Sequence, residues 1–246
     1  MAAEWTVPQA QAEAQFGNYS SAATWAGLGG NGSGSLLWQA ATVEYTHSVL
    51  WFQTSGYYAG WELAPNISAQ QISMNVDNGD DVEAEVWVCD PTQSYATTGP
   101  GSPNAALCAW IHNYTKNQDW TLESYASTAS LKATTAFQTA EVIQEWDSNG
   151  NSDYAQFDKF AFRHTGVCST ANTWGNCLGA KTHLNPFGQM WEVYQDGWDG
   201  YVTTMLQIGS PSHTQGGSCM GDASGNCDNG GGNSDPLVWV WWNSHE

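Results

Sequence analysis

Basic residues are scarce in this chain. Five Lys and Arg stand against 24 Asp and Glu in 246 residues, a formal net charge of -19. A surface of that sign repels phosphate backbones and anionic headgroups, so nucleic acid and membrane are excluded as partners. No apolar run approaches membrane-spanning length, and Met1-Ala-Ala-Glu is no signal peptide. We therefore expect the mature region of a secreted protein. None of the six Cys lies in a CxxC and none of the six His in an HxxxH, so neither zinc nor another metal is expected, and no cofactor. There is no GxSxG. The run "GLGGNG" at 27–32 lacks the Lys and the order of a phosphate loop and leads into a strand, so it reads as a turn. Long helical patterns are missing too, with 127–138 the one candidate for a short helix.

Aromatics, by contrast, are abundant: 15 Trp, 10 Tyr and 7 Phe. They supply the apolar area that disordered chains lack, and they suit a groove that grips an extended polymer, peptide or sugar. The cysteines fall in close pairs, Cys89 with Cys108, Cys168 with Cys177 and Cys219 with Cys227, each able to staple the base of one loop. With sequons at Asn18, Asn31, Asn66 and Asn113 they point to an oxidising, extracellular setting and a glycoprotein. With few bases, little positive charge accumulates at low pH, and self-repulsion fades toward the pI of about 4.2. That fits work in an acidic medium.

Alternating patterns dominate the chain. Strands are expected at 47–53, 57–63, 71–76, 82–88, 120–126, 139–147, 158–164, 190–196, 201–208 and 237–243, besides the one through 36–45. Turn-rich stretches such as "NVDNGDD" and "DSNGNSD" separate some of them, as in an antiparallel β-sandwich. Loop insertions are expected at about 90–107, 165–188 and 209–235. A strand resumes after the last of these, so 1–246 reads as a single all-β domain, a monomer.

Three of these strands carry polar groups on faces that ought to be apolar. In "GSGSLLWQAATVEY", residues 32–45, Leu37, Gln39, Ala41, Val43 and Tyr45 share one face, and Gln39 is its lone amide. In "YYAGWELAP", Tyr58, Gly60 and Glu62 share a face. In "TAEVIQEWD", Glu141, Ile143, Glu145 and Asp147 do so. A buried amide costs free energy unless it is partnered, and two carboxylates around an isoleucine are unusual in a core. Facing a groove, mutual repulsion and partial burial would raise at least one pKa, as a base that later acts as an acid requires.

Taken in order, "WAGLGGNGSGSLLWQAA", "YYAGWELAP" and "TAEVIQEWD" resemble the glutamic peptidase family (peptidase family G1, the eqolisins). Trp25 and Gln39 keep the family's fourteen-residue spacing from an opening Trp to the catalytic Gln. Tyr57, Ala59, Glu62 and Pro65 match a "YxAxxExxP"-like strand, and Ala140, Glu141 and Glu145 an "AExxxE" strand whose second acid is catalytic. "AEWTVPQA" is similar to an early "TVxxP"-type strand. The likeness runs from about residue 4 to 165. It implies a concanavalin-like sandwich of two antiparallel sheets, a polypeptide substrate and a Gln39/Glu145 dyad. Glu145 would activate water, and Gln39 would stabilise the oxyanion with a donor that acid cannot protonate. Trp25, Glu62, Glu141 and Glu44 would bind substrate or support the dyad. Gly29 and Val43 stand where fungal members keep an Asp, with Glu44 next to the second; Gly60 stands where they keep a Trp.

Two other readings suit a Trp-rich sandwich. One is a glycoside hydrolase using Glu141 and Glu145, or Glu62 and Glu145; the other is a carbohydrate-binding, lectin-like module.

Overall fold

The structure, a computed structural model, describes residues 1–11, 19–29, 36–49, 52–90, 92, 96–97, 105–123, 140–145, 152–154, 156–157, 160–166, 193–195, 204–206, 217–221 and 237–241. The described residues form strands and connections, with no α-helix among them. The expected helix at 127–138 lies outside them.

Two large sheets carry the chain. The first contains β1 (Ala2–Thr6), β7 (Asp81–Asp90), β8 (Ala96–Thr97), β9 (Ala106–Asn113), β10 (Gln118–Glu123), β14 (Phe160–Gly166), β17 (Gly217–Gly221) and β18 (Leu237–Trp241). Its order is β10-β9-β7-β1-β14-β18-β17, with β8 beside β7. The second contains β3 (Tyr19–Gly29), β4 (Leu37–Val49), β5 (Phe52–Ala64), β6 (Ile67–Gln71), β11 (Ala140–Glu145), β12 (Ser152–Tyr154), β15 (Val193–Gln195) and β16 (Thr204–Leu206). Its order is β15-β16-β11-β3-β4-β5-β6, with β12 beside β3. A short ribbon pairs β2 (Ala10–Gln11) with β13 (Gln156–Phe157). Neighbours are antiparallel except β11 with β16, β15 with β16, and β12 with β3. This is the expected two-sheet β-sandwich.

Alternation explains the packing. Trp38 and Ala40 of β4, Ala22 and Ala26 of β3, and Ala59, Trp61 and Leu63 of β5 meet Trp5, Val82, Val86, Leu107, Ile111 and Phe162 of the other sheet in one buried cluster. Small residues on β3 and β4 leave room for the tryptophans opposite. Each buried indole needs a partner for its N–H. Trp38 Nε1 donates to the Cys108 carbonyl (2.8 Å) and Trp5 Nε1 to Thr42 Oγ1 (2.9 Å), so both bonds cross between the sheets.

Several boundaries differ from the sequence expectation. The strand expected at 47–53 is divided between the end of β4 and the start of β5, because its mixed pattern spans a hairpin. The segment expected at 71–76 leaves the ladder after Gln71, yet Ile72, Met74 and Val76 are all buried. An extended segment alternates like a strand without pairing as one; here Asn75 N–H donates to the side chain of Gln118 (3.0 Å). The regions expected as loops contain β8, the start of β9 and all of β17, the last paired with β18. Cys89 and Cys108 form a disulfide that closes the segment between β7 and β9. The other two expected pairs include residues outside those described.

The "NVDNGDD" turn is held by Asp80. Its Oδ2 accepts from the Asp77 N–H (2.8 Å) and Asn113 Nδ2 (2.8 Å) and lies 3.0 Å from Lys116 Nζ. Gly79 takes a positive φ of 81°, which glycine adopts without strain. Asn113 is fully buried with its amide nitrogen so engaged, whereas Asn66, another sequon, is exposed. Burial pushes the Asp80 carboxyl up, but the donors from Asn113, Asp77 and Lys116 outweigh it and hold the pKa below the usual 3.8. The stabilisation is therefore present above that value and is lost as pH falls through the depressed one. Asp80→Ala should cost about 2–3 kcal/mol near neutrality, read as a lower urea midpoint, and less in strong acid. An unchanged midpoint would contradict this role for Asp80.

Candidate active site

β4 pairs with β3 from Tyr19↔His47 to Gly29↔Leu37, and with β5 from Leu37↔Ala64 to Val49↔Phe52, without a bulge. Every odd-numbered residue from Leu37 to Tyr45 therefore lies on the face turned away from the sandwich core. That face has its own buried cluster of Ala23, Trp25, Ala41 and Val43, against which Leu37, Tyr58 and Ala69 pack. Gln39 belongs to it.

Cross-strand rows locate the neighbours. Gly27, Gln39 and Glu62 form one row, Trp25, Ala41 and Gly60 the next, and Ala23, Val43 and Tyr58 the third. Gln39 is 2% exposed, and its Nε2 donates to Glu62 Oε2 at 2.8 Å. A carboxylate accepts, so this bond fixes which end of the amide meets Glu62. Gln39 Oε1 is then turned elsewhere, buried and without a hydrogen-bond partner. Trp25, also 2% exposed and one row along, has an indole N–H in the same condition. Each such atom costs about 1–3 kcal/mol. A buried acceptor and a buried donor left open on one face match a site built to receive another molecule.

β11 completes the comparison of expected residues. It pairs antiparallel with β3, setting Glu141 opposite Gly27, Ile143 opposite Trp25 and Glu145 opposite Ala23. Glu141 is thus in the row of Gln39 and Glu62, separated from Gln39 only by Gly27. Glu145 is in the row of Val43 and Tyr58, four residues farther along β11.

Glu44 lies elsewhere. With no bulge to turn it, it alternates onto the core face, fully buried, where Thr42 Oγ1 donates to its Oε1 at 3.2 Å. Burial pushes its carboxyl well above the usual 4.5, against hydrogen bonds from Thr42, its own backbone and Thr24. It does not join Gln39. Gly60 has a steric reason for being glycine: a Cβ there would come within 2.8 Å of the Gln70 carbonyl oxygen. No Trp fits that position. The sequence reading did not anticipate the Gln39–Glu62 bond or the Gly27 gap; the first follows from the register of β4 with β5 and the second from the registers of β3 with β4 and β11.

Among the described residues no cluster of His, Cys, Asp and Glu could hold a metal ion.

The profile of the peptidase A4 family matches residues 1–213. Among curated proteins no sequence matches significantly. In overall structure the chain is similar to scytalido-glutamic peptidase with a transition state analog inhibitor, at 15% identity and TM-score 0.52, over 98% of this chain and 90% of that one. It is likewise similar to aspergilloglutamic peptidase from Aspergillus niger, at 16% identity and TM-score 0.54, over 90% of this chain and 99% of that one. At such identity the structures speak for the shared fold, and the family match decides between the peptidase and sugar-directed readings. The chain belongs to the peptidase A4 family, the glutamic peptidases, and is a hydrolase of peptide bonds.

Proposed function

We propose that this peptidase is a secreted, acid-acting endopeptidase in which Gln39 and a glutamate of β11 form the catalytic dyad. The observation that carries the reading is the Gln39 side chain: buried, held at one end by Glu62, and open at its oxygen. The glutamate takes a proton from water while the water oxygen attacks the scissile carbonyl carbon. The C–N bond then breaks as the same carboxyl returns the proton to the leaving nitrogen. Gln39 Oε1, buried and without a protein partner, can accept from that water. The second Nε2 hydrogen, free of the bond to Glu62, can donate to the oxyanion. An amide keeps this donor at every pH at which a carboxylate must be partly protonated.

The family motif names Glu145 as the base. A second reading, with Glu141 in that role, is favoured by the register. Two strand spacings place Glu141 about 10 Å from Gln39 between Cα atoms, a span that two side chains and a water can bridge. Glu145 is about 14 Å farther along the strand direction.

Digestion of casein or denatured globin in acid near the pI of about 4.2 tests the proposal. Gln39→Ala should lower kcat on the order of 100-fold or more. Glu141→Gln and Glu145→Gln, made singly, should differ: the base loses on the order of 100-fold or more, its neighbour little. Full activity in all three variants would remove the dyad. A separate comparison concerns Glu62 as a positioning residue. Glu62→Ala should lower kcat about 10- to 100-fold with little change in KM, because the amide is no longer held. Glu62→Gln, whose carbonyl can still accept from Nε2, should recover much of it. A loss confined to KM would show that Glu62 binds substrate instead.

A further inference from the structure

Between the sheets, on the opposite side of β4 from Gln39, lies a second polar group that the peptidase chemistry does not use. Ser20 on β3 pairs with Thr46 on β4, and the next inward row pairs Ala22 with Glu44. All four are buried. Ser20 Oγ, Glu44 Oε2 and Thr46 Oγ1 have no hydrogen-bond partner, so three orphaned oxygens sit on one face within two adjacent rows. Only Glu44 Oε1 is engaged, in a chain that runs from Trp5 Nε1 to Thr42 Oγ1 to the carboxyl.

Nothing described offers this carboxyl a counter-charge. From β3 it is faced by Ser20, Ala22 and Thr24, and from β5 by Ser55, Tyr57 and Ala59. Tyr57 is the titratable group among these, and its hydroxyl accepts from the Ala10 N–H of β2 (3.4 Å). Across the sandwich, Trp5 of β1 and Phe162 of β14 bring apolar rings into contact with each other. On β7 the inward positions are Val82, Ala84, Val86 and Val88, while Asp81, Glu83 and Glu85 alternate with them. On β9 they are Leu107, Ala109 and Ile111, with His112 on the other face beside Asp119. The Met1 amine is held by the Val86 carbonyl (2.8 Å).

We propose that Glu44 is a pH limiter built into the sandwich: neutral, it is accommodated between the sheets; ionised, it forces them apart, so the folded peptidase is confined to acid. A neutral carboxyl adds a donor that the orphaned oxygens of Ser20 and Thr46 can share directly or through an internal water. A carboxylate in the same place can accept from those hydroxyls but has no cation beside it among the described residues, and such a charge is tolerated in an interior only when paired. The sign follows from a folded-state pKa above the unfolded one. The stabilisation is complete below about 4.5, the usual value, and is lost as pH rises through the folded value. Self-repulsion from the net charge of -19 acts in the same direction, so the contribution of Glu44 has to be isolated by difference.

Glu44→Gln isolates it, since glutamine has the same shape and does not titrate. Unfolding followed by tryptophan fluorescence and circular dichroism across acid to alkaline pH should place the wild-type midpoint at least about one pH unit below that of the variant. The two should converge in strong acid. Superimposable profiles would overturn the proposal. Should the variant fail to fold, the wild type still decides. Infrared spectroscopy of the folded protein just below its unfolding pH should show a protonated carboxyl band that vanishes on unfolding. If no such band is present, the limiter does not exist.

Discussion

The unbroken pairing of β4 with both its neighbours is the constraint on which the rest of this molecule depends. A single bulge would exchange the two faces of the strand beyond it. With eleven pairs to β3 and thirteen to β5, none of them shifted, no exchange occurs. Trp38 and Ala40 stay in the core, Gln39 stays on the opposite face, and Glu44 is committed to the interior. Packing energy from the tryptophans of the core thus sets the geometry of the site on the other side.

Each face of β4 carries a buried polar side chain with an unpartnered oxygen, Gln39 among apolar neighbours on one and Glu44 beside Thr42 and Thr46 on the other, and the two are treated differently. Gln39 is neutral at every pH and is fixed by Glu62, so its incomplete hydrogen bonding is compatible with a permanent role in binding water or substrate. Glu44 is ionisable and keeps one carboxyl oxygen, Oε2, without a partner despite the bonds from Thr42, Thr24 and its own backbone, which is the basis of the pH response proposed for the fold. Both arrangements suit a chain with five basic residues, which has few cations to spend on buried carboxylates. Arg163, Lys116 and their partners Glu4, Asp77, Asp80 and Asp81 account for ion pairs at the margins of the first sheet instead.

Much of this was legible in the sequence. Period-two alternation identified β5, β7, β14 and β18 within a few residues, because sandwich strands place one face in a dry core. Gln39 was conspicuous for the same reason: an amide among Leu37, Ala41 and Val43 has no business there unless something partners it. The segment 71–76 misled because burial alternates in any extended chain, paired or not. Glu44 could not be assigned, since its face depended on whether β4 bulges, a property of the ladder and not of composition. The meeting of Gln39 with Glu62, 23 residues away in sequence, required the hairpin register. Gly60 looked like a lost Trp and is in fact a position where the β6 backbone leaves no room for a Cβ.

The central claim is that the buried amide of Gln39, locked by Glu62, is the receiving end of the active site. Its most direct test is a crystal structure, in acid, of the protein with a bound peptide-like inhibitor that mimics the tetrahedral intermediate. The account predicts an inhibitor oxygen, or a water bound to it, within hydrogen-bond distance of the Gln39 side chain, with the Glu62 bond intact. An inhibitor seated elsewhere, with both ends of the Gln39 amide satisfied by protein groups, would contradict it.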